Sequence, residues 1–228
     1  MHLETERPYA TADSLQVQTH GLASTHLDAL GHMFLNGVGY NGTAMTEAMN
    51  MAGLRRLDIG AMRSGIVTRG VLLDVAEAAG CEYLAAGAYV DRQLLLAAEA
   101  RSGLTVGRGD ALIVHVGLER REASDGPEDP AVRAGLSQDA VGWLHERQIA
   151  VYSGDCIERF PLDEDAAVPM PLHQLGIARL GLVLLDCPTL TNLISICHRL
   201  SRNDFLFMAA PLNIPGGTGS LVNPIAVF

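Results

Sequence analysis

The segment Ser24-Thr25-His26-Leu27-Asp28-Ala29-Leu30-Gly31-His32 places two imidazoles and a carboxylate within seven residues of an otherwise apolar stretch. His26 and Asp28 are two apart, so on an extended strand both side chains leave the same face. Such a pair offers one nitrogen and one oxygen ligand to a divalent cation. His32 follows Gly31, where the chain can bend, and an imidazole there can move protons.

The rest of the chain must position these groups. Its 228 residues suffice for one domain with a real core, and we read 1–228 as a single unit with 1–14 as an exposed arm. Hydrophobic residues make up 48% and charged residues only 18%, which excludes a disordered chain. The formal charge is -10 and every base other than His is Arg, so the surface disfavours a phosphate backbone and nucleic acid is not an expected partner. Cys81, Cys156, Cys187 and Cys197 form no CxxC pair and read as reduced core thiols. There is no signal-peptide pattern and no apolar run near the ~20 residues of a membrane span, so the expectation is a cytoplasmic protein with no membrane partner.

Strand-like patterns lie at 15–19, 23–29, 66–75 (broken by Gly70), 111–117, 149–153, 182–185, 205–209 and 224–228. Helical patterns lie at 46–57, 90–100, 138–148, 171–180 and 193–200, with solvated loops at 121–130 and 215–219. The 111–117 run is continuously apolar, as in a strand buried on both faces. Helix followed by strand, three times in the second half, predicts an α/β fold. The Gly-rich loop lacks a Gly-Lys-Ser/Thr ending and precedes a strand, so it is not a phosphate loop. No Gly-x-Ser-x-Gly elbow is present, which argues against a serine hydrolase.

Thr25-His26-x-Asp28-x-x-x-His32 resembles the signature His-x-Gly-Thr-His-x-Asp-x-Pro-x-His of the metal-dependent cyclase and kynurenine-formamidase family. The resemblance extends from about Val17 to the C-terminus. It includes Arg69-Gly70-Val71-Leu72-Leu73-Asp74-Val75, Gly109-Asp110, the segment from Leu136 to Asp155, the His173 to Asp186 block, and a Pro211 to Pro224 ending like that of a longer branch of the family. The resemblance implies a swivelling β/β/α domain with a mixed sheet core and flanking helices, a homo-oligomer, and one or two divalent ions, Zn or Mn. It also implies a small-molecule substrate, since characterised members hydrolyse amides such as formylkynurenine or the lactam ring of isatin. Others act in polyketide ring formation.

By that resemblance His26, Asp28, His173 and Asp186 hold the metal, with Asp186 standing where the family has Glu. His32 is the proton-transfer residue, paired with Asp28. The family's first His falls on Leu22, its Gly on Ser24 and its Pro on Leu30. His20 is the nearest substitute, but six strand residues span roughly 20 Å, so it reaches the ion only if the chain turns near Gly21. Arg69, Tyr40, Asn41 and Asp155 are candidate substrate contacts. His115 reads as a satisfied core residue, and His145 as an exposed residue on a helix. The expected activity is metal-dependent hydrolysis of a cyclic or N-acyl amide, with metal-bound water attacking the carbonyl. The alternatives are a cyclase or dehydratase of secondary metabolism whose metal site is degenerate or absent, and a non-catalytic small-molecule-binding protein.

Overall fold

The aliphatic runs that end in Asp or Gly are the strands of a central sheet. The computed structural model describes residues 12–162, 164 and 166–228. Its strands are β1 (His26–Asp28), β2 (Met49–Asn50), β3 (Gly53–Leu54), β4 (Ile66–Asp74), β5 (Tyr89–Val90), β6 (Ala111–His115), β7 (Gly135–Leu136), β8 (Val151–Gly154), β9 (Val183–Asp186), β10 (Asp204–Ala209), β11 (Gly219–Leu221) and β12 (Ile225–Val227). The helices are α1 (Met45–Ala48), α2 (Val75–Ala78), α3 (Arg92–Ser102), α4 (Leu118–Asp125), α5 (Gln138–Arg147), a wider-wound π-helix (Pro171–Leu180) and α6 (Thr191–Leu200).

Eight strands form one mixed sheet in the order β11-β1-β9-β8-β6-β4-β10-β12, and the fold is α/β. The inner strands β4, β6, β8 and β9 are parallel, whereas β1 joins β9 and β10 joins β4 in antiparallel register. The crossovers from β4 to β6, β8 and β9 all advance in one direction. Right-handed crossovers of that kind deposit their helices on one face. Strand parity sorts the core accordingly. Val71, Leu73, Leu112, Val114, Tyr152 and Leu184 pack with Leu95 of α3, Trp143 of α5 and Leu172 of the π-helix. The alternate residues Leu72, Ala111, Ile113, Val151 and Leu185 face the other way, against Leu27, Cys197 and Phe205. Both faces of the parallel strands are covered, which is why they read as continuous apolar runs.

Several sequence expectations are corrected. Residues 12–14 are exposed, while the remainder of the expected arm, 1–11, lies outside the described residues. No strand forms at 15–19, where Leu15 and Val17 are exposed and lack a pairing partner strand. The helix expected over 46–57 stops at Ala48, and the chain reverses as a β2–β3 hairpin whose turn is held by the Asn50 side chain accepting from the Ala52 N–H. Part of the expected loop 121–130 is helical, as α4. Its amino end is capped by Asp155, far away in sequence, which accepts from the N–H groups of Val116, Gly117 and Leu118. Cys81 is exposed and Cys187 half-buried rather than in the core, and all four cysteines are free.

Gly70 does not break its strand either, because β4 runs through it. A Cβ there would sit 2.3 Å from the Phe205 ring of β10, so the glycine makes room for an aromatic packed across the strand pair. Gly70→Ala is therefore expected to cost about 1–3 kcal/mol of stability by overpacking. Urea unfolding measures this, and adding Phe205→Leu should recover part of the loss; a Gly70→Ala protein as stable as wild type would contradict the packing account.

Candidate metal centre

Parity and register build the site. Leu27 points into the core on the face that α6 covers, so His26 and Asp28 on either side of it point towards the opposite face, which carries α3, α5 and the π-helix. Antiparallel pairing sets His26 directly opposite Asp186, the last residue of β9. The π-helix packs on the same side and contributes His173. Four side chains from three distant segments thereby meet at one end of β9, close to the carboxyl ends of the parallel strands, where α/β sheets carry their sites.

Asp28 is the hub, with its side chain 1% exposed. Its Oδ1 lies 2.9 Å from His20 Nδ1 and 3.5 Å from His26 Nε2. Its Oδ2 lies 3.7 Å from His173 Nε2 and 4.0 Å from His32 Nε2. His173 Nε2 is also 3.0 Å from Asp186 Oδ2. On its other side His173 is held by Glu158, whose Oε1 accepts from both the backbone N–H (2.8 Å) and Nδ1 (2.7 Å). His26 Nδ1 donates to the Ser24 carbonyl at 2.8 Å, which turns Nε2 inward. Each of these two rings thus has one nitrogen anchored on a protein oxygen and the other aimed at the carboxylates, the arrangement by which outer partners orient metal-binding imidazoles.

The donor set fits a divalent cation. Two donors about 2.1 Å from one ion and about 90–110° apart lie about 3.0–3.4 Å from each other, close to the spacings around Asp28. Potential ligand atoms of His26, Asp28 and Asp186 lie within 4.8 Å of one another, as do those of His20, Asp28 and His32. Asp28 Oδ2 and Asp186 Oδ1 are buried and make no hydrogen bond, and buried carboxylate oxygens in that state demand a partner.

The electrostatics divide the imidazoles. Burial, reinforced by the neighbouring rings and opposed by Asp28, pushes His32 down to about 4, so it is neutral at physiological pH. His173 is driven the other way: burial disfavours its charge, but Asp186 and Glu158 outweigh that and raise it well above the ordinary histidine value. Burial raises Asp28, yet the His20 hydrogen bond and the surrounding imidazoles hold it below the usual carboxylate range.

The remaining sequence candidates fall elsewhere. Arg69 does not face the centre: its guanidinium is held by Asp110 (3.3 Å), Asp204 (3.4 Å) and the Thr105 carbonyl (3.1 Å). Tyr40 lies against Gly181 at the end of the π-helix, where a Cβ would come within 2.4 Å of its ring, and Asn41 is exposed at positive φ. Asp155 caps α4 and also lines a cleft of about 400 Å³. None of the centre's own side chains lines that cleft; its wall includes Thr25 and Cys187, the chain neighbours of His26 and Asp186, and it carries Glu119, Glu122, Glu128 and Arg133. His145 is exposed on α5, as expected. His115 is not a core residue; it ends β6 between Asp74 (3.2 Å) and Asp155 (3.9 Å). One residue was missed, and one was expected only on a condition. Glu158 follows β8 in an unremarkable Cys-Ile-Glu-Arg run, and its role depends on the π-helix lying over it. His20 is in the centre because the chain does turn at Gly21, with φ 126°.

The chain and its fold have counterparts among known proteins. Residues 1–158 match the model of a family described as putative cyclase. A crystal structure described as a novel cyclase superposes with a TM-score of 0.78 at 30% identity, covering 90% of this chain and 69% of the other. An isatin hydrolase bound to the product analogue thioisatinate gives 0.59 at 20% identity (88% and 69% covered), and isatin hydrolase A from Ralstonia solanacearum gives 0.60 at 21% (88% and 69%). These last two are likenesses of fold. Comparison with curated proteins gives no match. Among the described residues no helix is long and apolar enough to cross a membrane.

The His115 contacts have a consequence for stability. Burial opposes its charge, but Asp74 and Asp155 prevail and raise it above the ordinary 6.5. A raised native value means the stabilisation is complete below about pH 6.5 and is lost as pH climbs through the native value. Wild type should therefore exceed His115→Gln in unfolding free energy most at about pH 6 and least at about pH 9. Urea titrations at both pH values check it, and an advantage that grows with pH would show the sign to be wrong.

Proposed function

The chain belongs to the putative cyclase family, and from that premise we propose that it is a metal-dependent hydrolase of a cyclic or N-acyl amide. The observation that carries the reading is the pair of unpartnered, buried carboxylate oxygens on Asp28 and Asp186, ringed by imidazole nitrogens at donor spacing and bordered by a neutral imidazole. His26, Asp28, His173 and Asp186 would hold the cation, zinc or manganese by the mix of nitrogen and oxygen donors. When bound, such an ion polarises a carbonyl and acidifies a water molecule.

The protein's own groups do the rest. His32, neutral and half-buried, accepts the proton of the attacking water and returns it to the departing nitrogen. Asp28 Oδ2, 4.0 Å from His32 Nε2, favours the imidazolium formed in between. Glu158 keeps His173 Nδ1 protonated and its Nε2 turned to the carboxylates. The cleft that Leu22, Ala23 and Pro188 help to line, reached from β1 through Thr25, is the candidate place for the organic part of the substrate. Isatin hydrolases sharing this fold support a lactam or related amide as the substrate class.

A second reading is favoured by one observation. His173 closes a hydrogen-bonded path from Glu158 to Asp186 without a cation, so His32 and Asp28 could abstract a proton α to a carbonyl in a ring closure or dehydration. Elemental analysis separates the two. Protein purified without chelator is expected to carry zinc or manganese, and His26→Ala to lose it. His32→Ala should keep the metal while amide hydrolysis falls about 10²–10⁴-fold. Uptake of neither ion by wild type or by His26→Ala would refute the hydrolytic mechanism and leave the proton-abstraction reading.

A further inference from the structure

We infer that His20 is a ligand of this metal centre, supplying from two residues upstream the imidazole that the signature spacing assigns to position 22. The inference rests on the metal-dependent reading above and extends it to a residue outside the signature. Two separate parts of the chain carry it.

The first is the donor geometry. His20 Nδ1 stands 2.9 Å from Asp28 Oδ1, the separation of two atoms bound side by side to one cation. Its other nitrogen, Nε2, is 2.9 Å from Thr218 Oγ1, so the hydroxyl can fix the ring as outer partners fix metal-ligating imidazoles. The ring lies flat on His32, with centroids 3.8 Å apart and planes 8° from parallel. His20 therefore also sets the orientation of the proton-transfer residue. Leu22, by contrast, is 45% exposed and lines the cleft.

The second is the room made for the ring. Gly21 has φ 126°, a conformation open to glycine and strained for other residues, and this turn brings position 20 back over β1. Gly219 pairs with Asp28 across β1 and β11, and a Cβ there would sit 2.7 Å from His20 Cε1. The space above Asp28 is thus shaped by two glycines from opposite ends of the chain, and a side chain on Gly219 would fill it. The same backbone turn leaves Leu22 on the wall of the cleft rather than in the centre.

The test is calorimetric titration of the full-length, metal-stripped protein with zinc chloride and, separately, manganese chloride, with circular dichroism confirming the fold of each variant. His20→Ala should bind at least about ten-fold more weakly than wild type. Gly219→Val, which keeps every candidate ligand but intrudes on the ring, should weaken binding in the same direction. His20→Ala combined with Leu22→His, which returns the imidazole to the signature position, should recover affinity. The proposal is overturned if His20→Ala binds within about two-fold of wild type while His26→Ala has lost binding; the metal-dependent reading would then stand without His20. A wild-type protein that binds neither ion would overturn both together, and is recognised because His26→Ala then changes nothing.

Discussion

A single carboxylate buried among imidazoles organises this molecule. Asp28 has its side chain 1% exposed, on a strand of three residues, with His20, His26, His32 and His173 all within 4.0 Å. A carboxylate taken out of water must be compensated by hydrogen bonds or opposite charge. No Arg ion pair reaches Asp28 among the described residues, and the chain has no Lys. The compensation comes from imidazoles, whose charge is conditional. Groups that can be neutral or charged, and that ligate when neutral, make the surroundings of Asp28 chemically convertible where an arginine would have made them permanent.

The sheet exists around this constraint in a specific sense. β1 is too short to be stable alone, and it is clamped on both sides, by β9 through His26–Asp186 and by β11 through Asp28–Gly219. The three parallel crossovers leave their helices on the face to which His26 and Asp28 point, so the π-helix can lower His173 onto the carboxylates. A π-helical winding is rare and frequent at functional sites. Here it places His173 N–H and Nδ1 together on one oxygen of Glu158, so the helix backbone and the imidazole are registered by the same carboxylate.

The α/β class was legible because apolar runs alternate with helical patterns, and because β6 carries the continuous hydrophobicity of a strand covered on both faces. His26, Asp28 and His32 were legible by spacing, while His173 and Asp186 rested on the resemblance. What escaped were features whose cause lies far along the chain. α4 reads as a charged loop because its cap, Asp155, is 37 residues away. The 46–57 segment has helical periodicity, yet the Asn50 and Gly53 turn chemistry prevails. Gly70 reads as a break, whereas it is a socket for Phe205. His20 lies beyond the reach of a straight strand, and that arithmetic held; the chain satisfies it by turning at Gly21. Glu158 had no local signal, since its partner is set by packing alone.

Protons and a divalent cation are two solutions to one burial problem. Asp28, Asp186 and Glu158 are buried together, with His173 bridging the last two. Without a cation, the carboxylates on either side of His173 hold its proton tightly. Were the proposed cation bound at Asp28 and Asp186, His173 could serve it only through an unprotonated Nε2, with Nδ1–H kept on Glu158. Glu158 anchors Nδ1 in either case, because its contact lies on the side of the ring away from Asp28 and Asp186. On the proposed reading, His32, held neutral by burial, is then the imidazole left to move a proton.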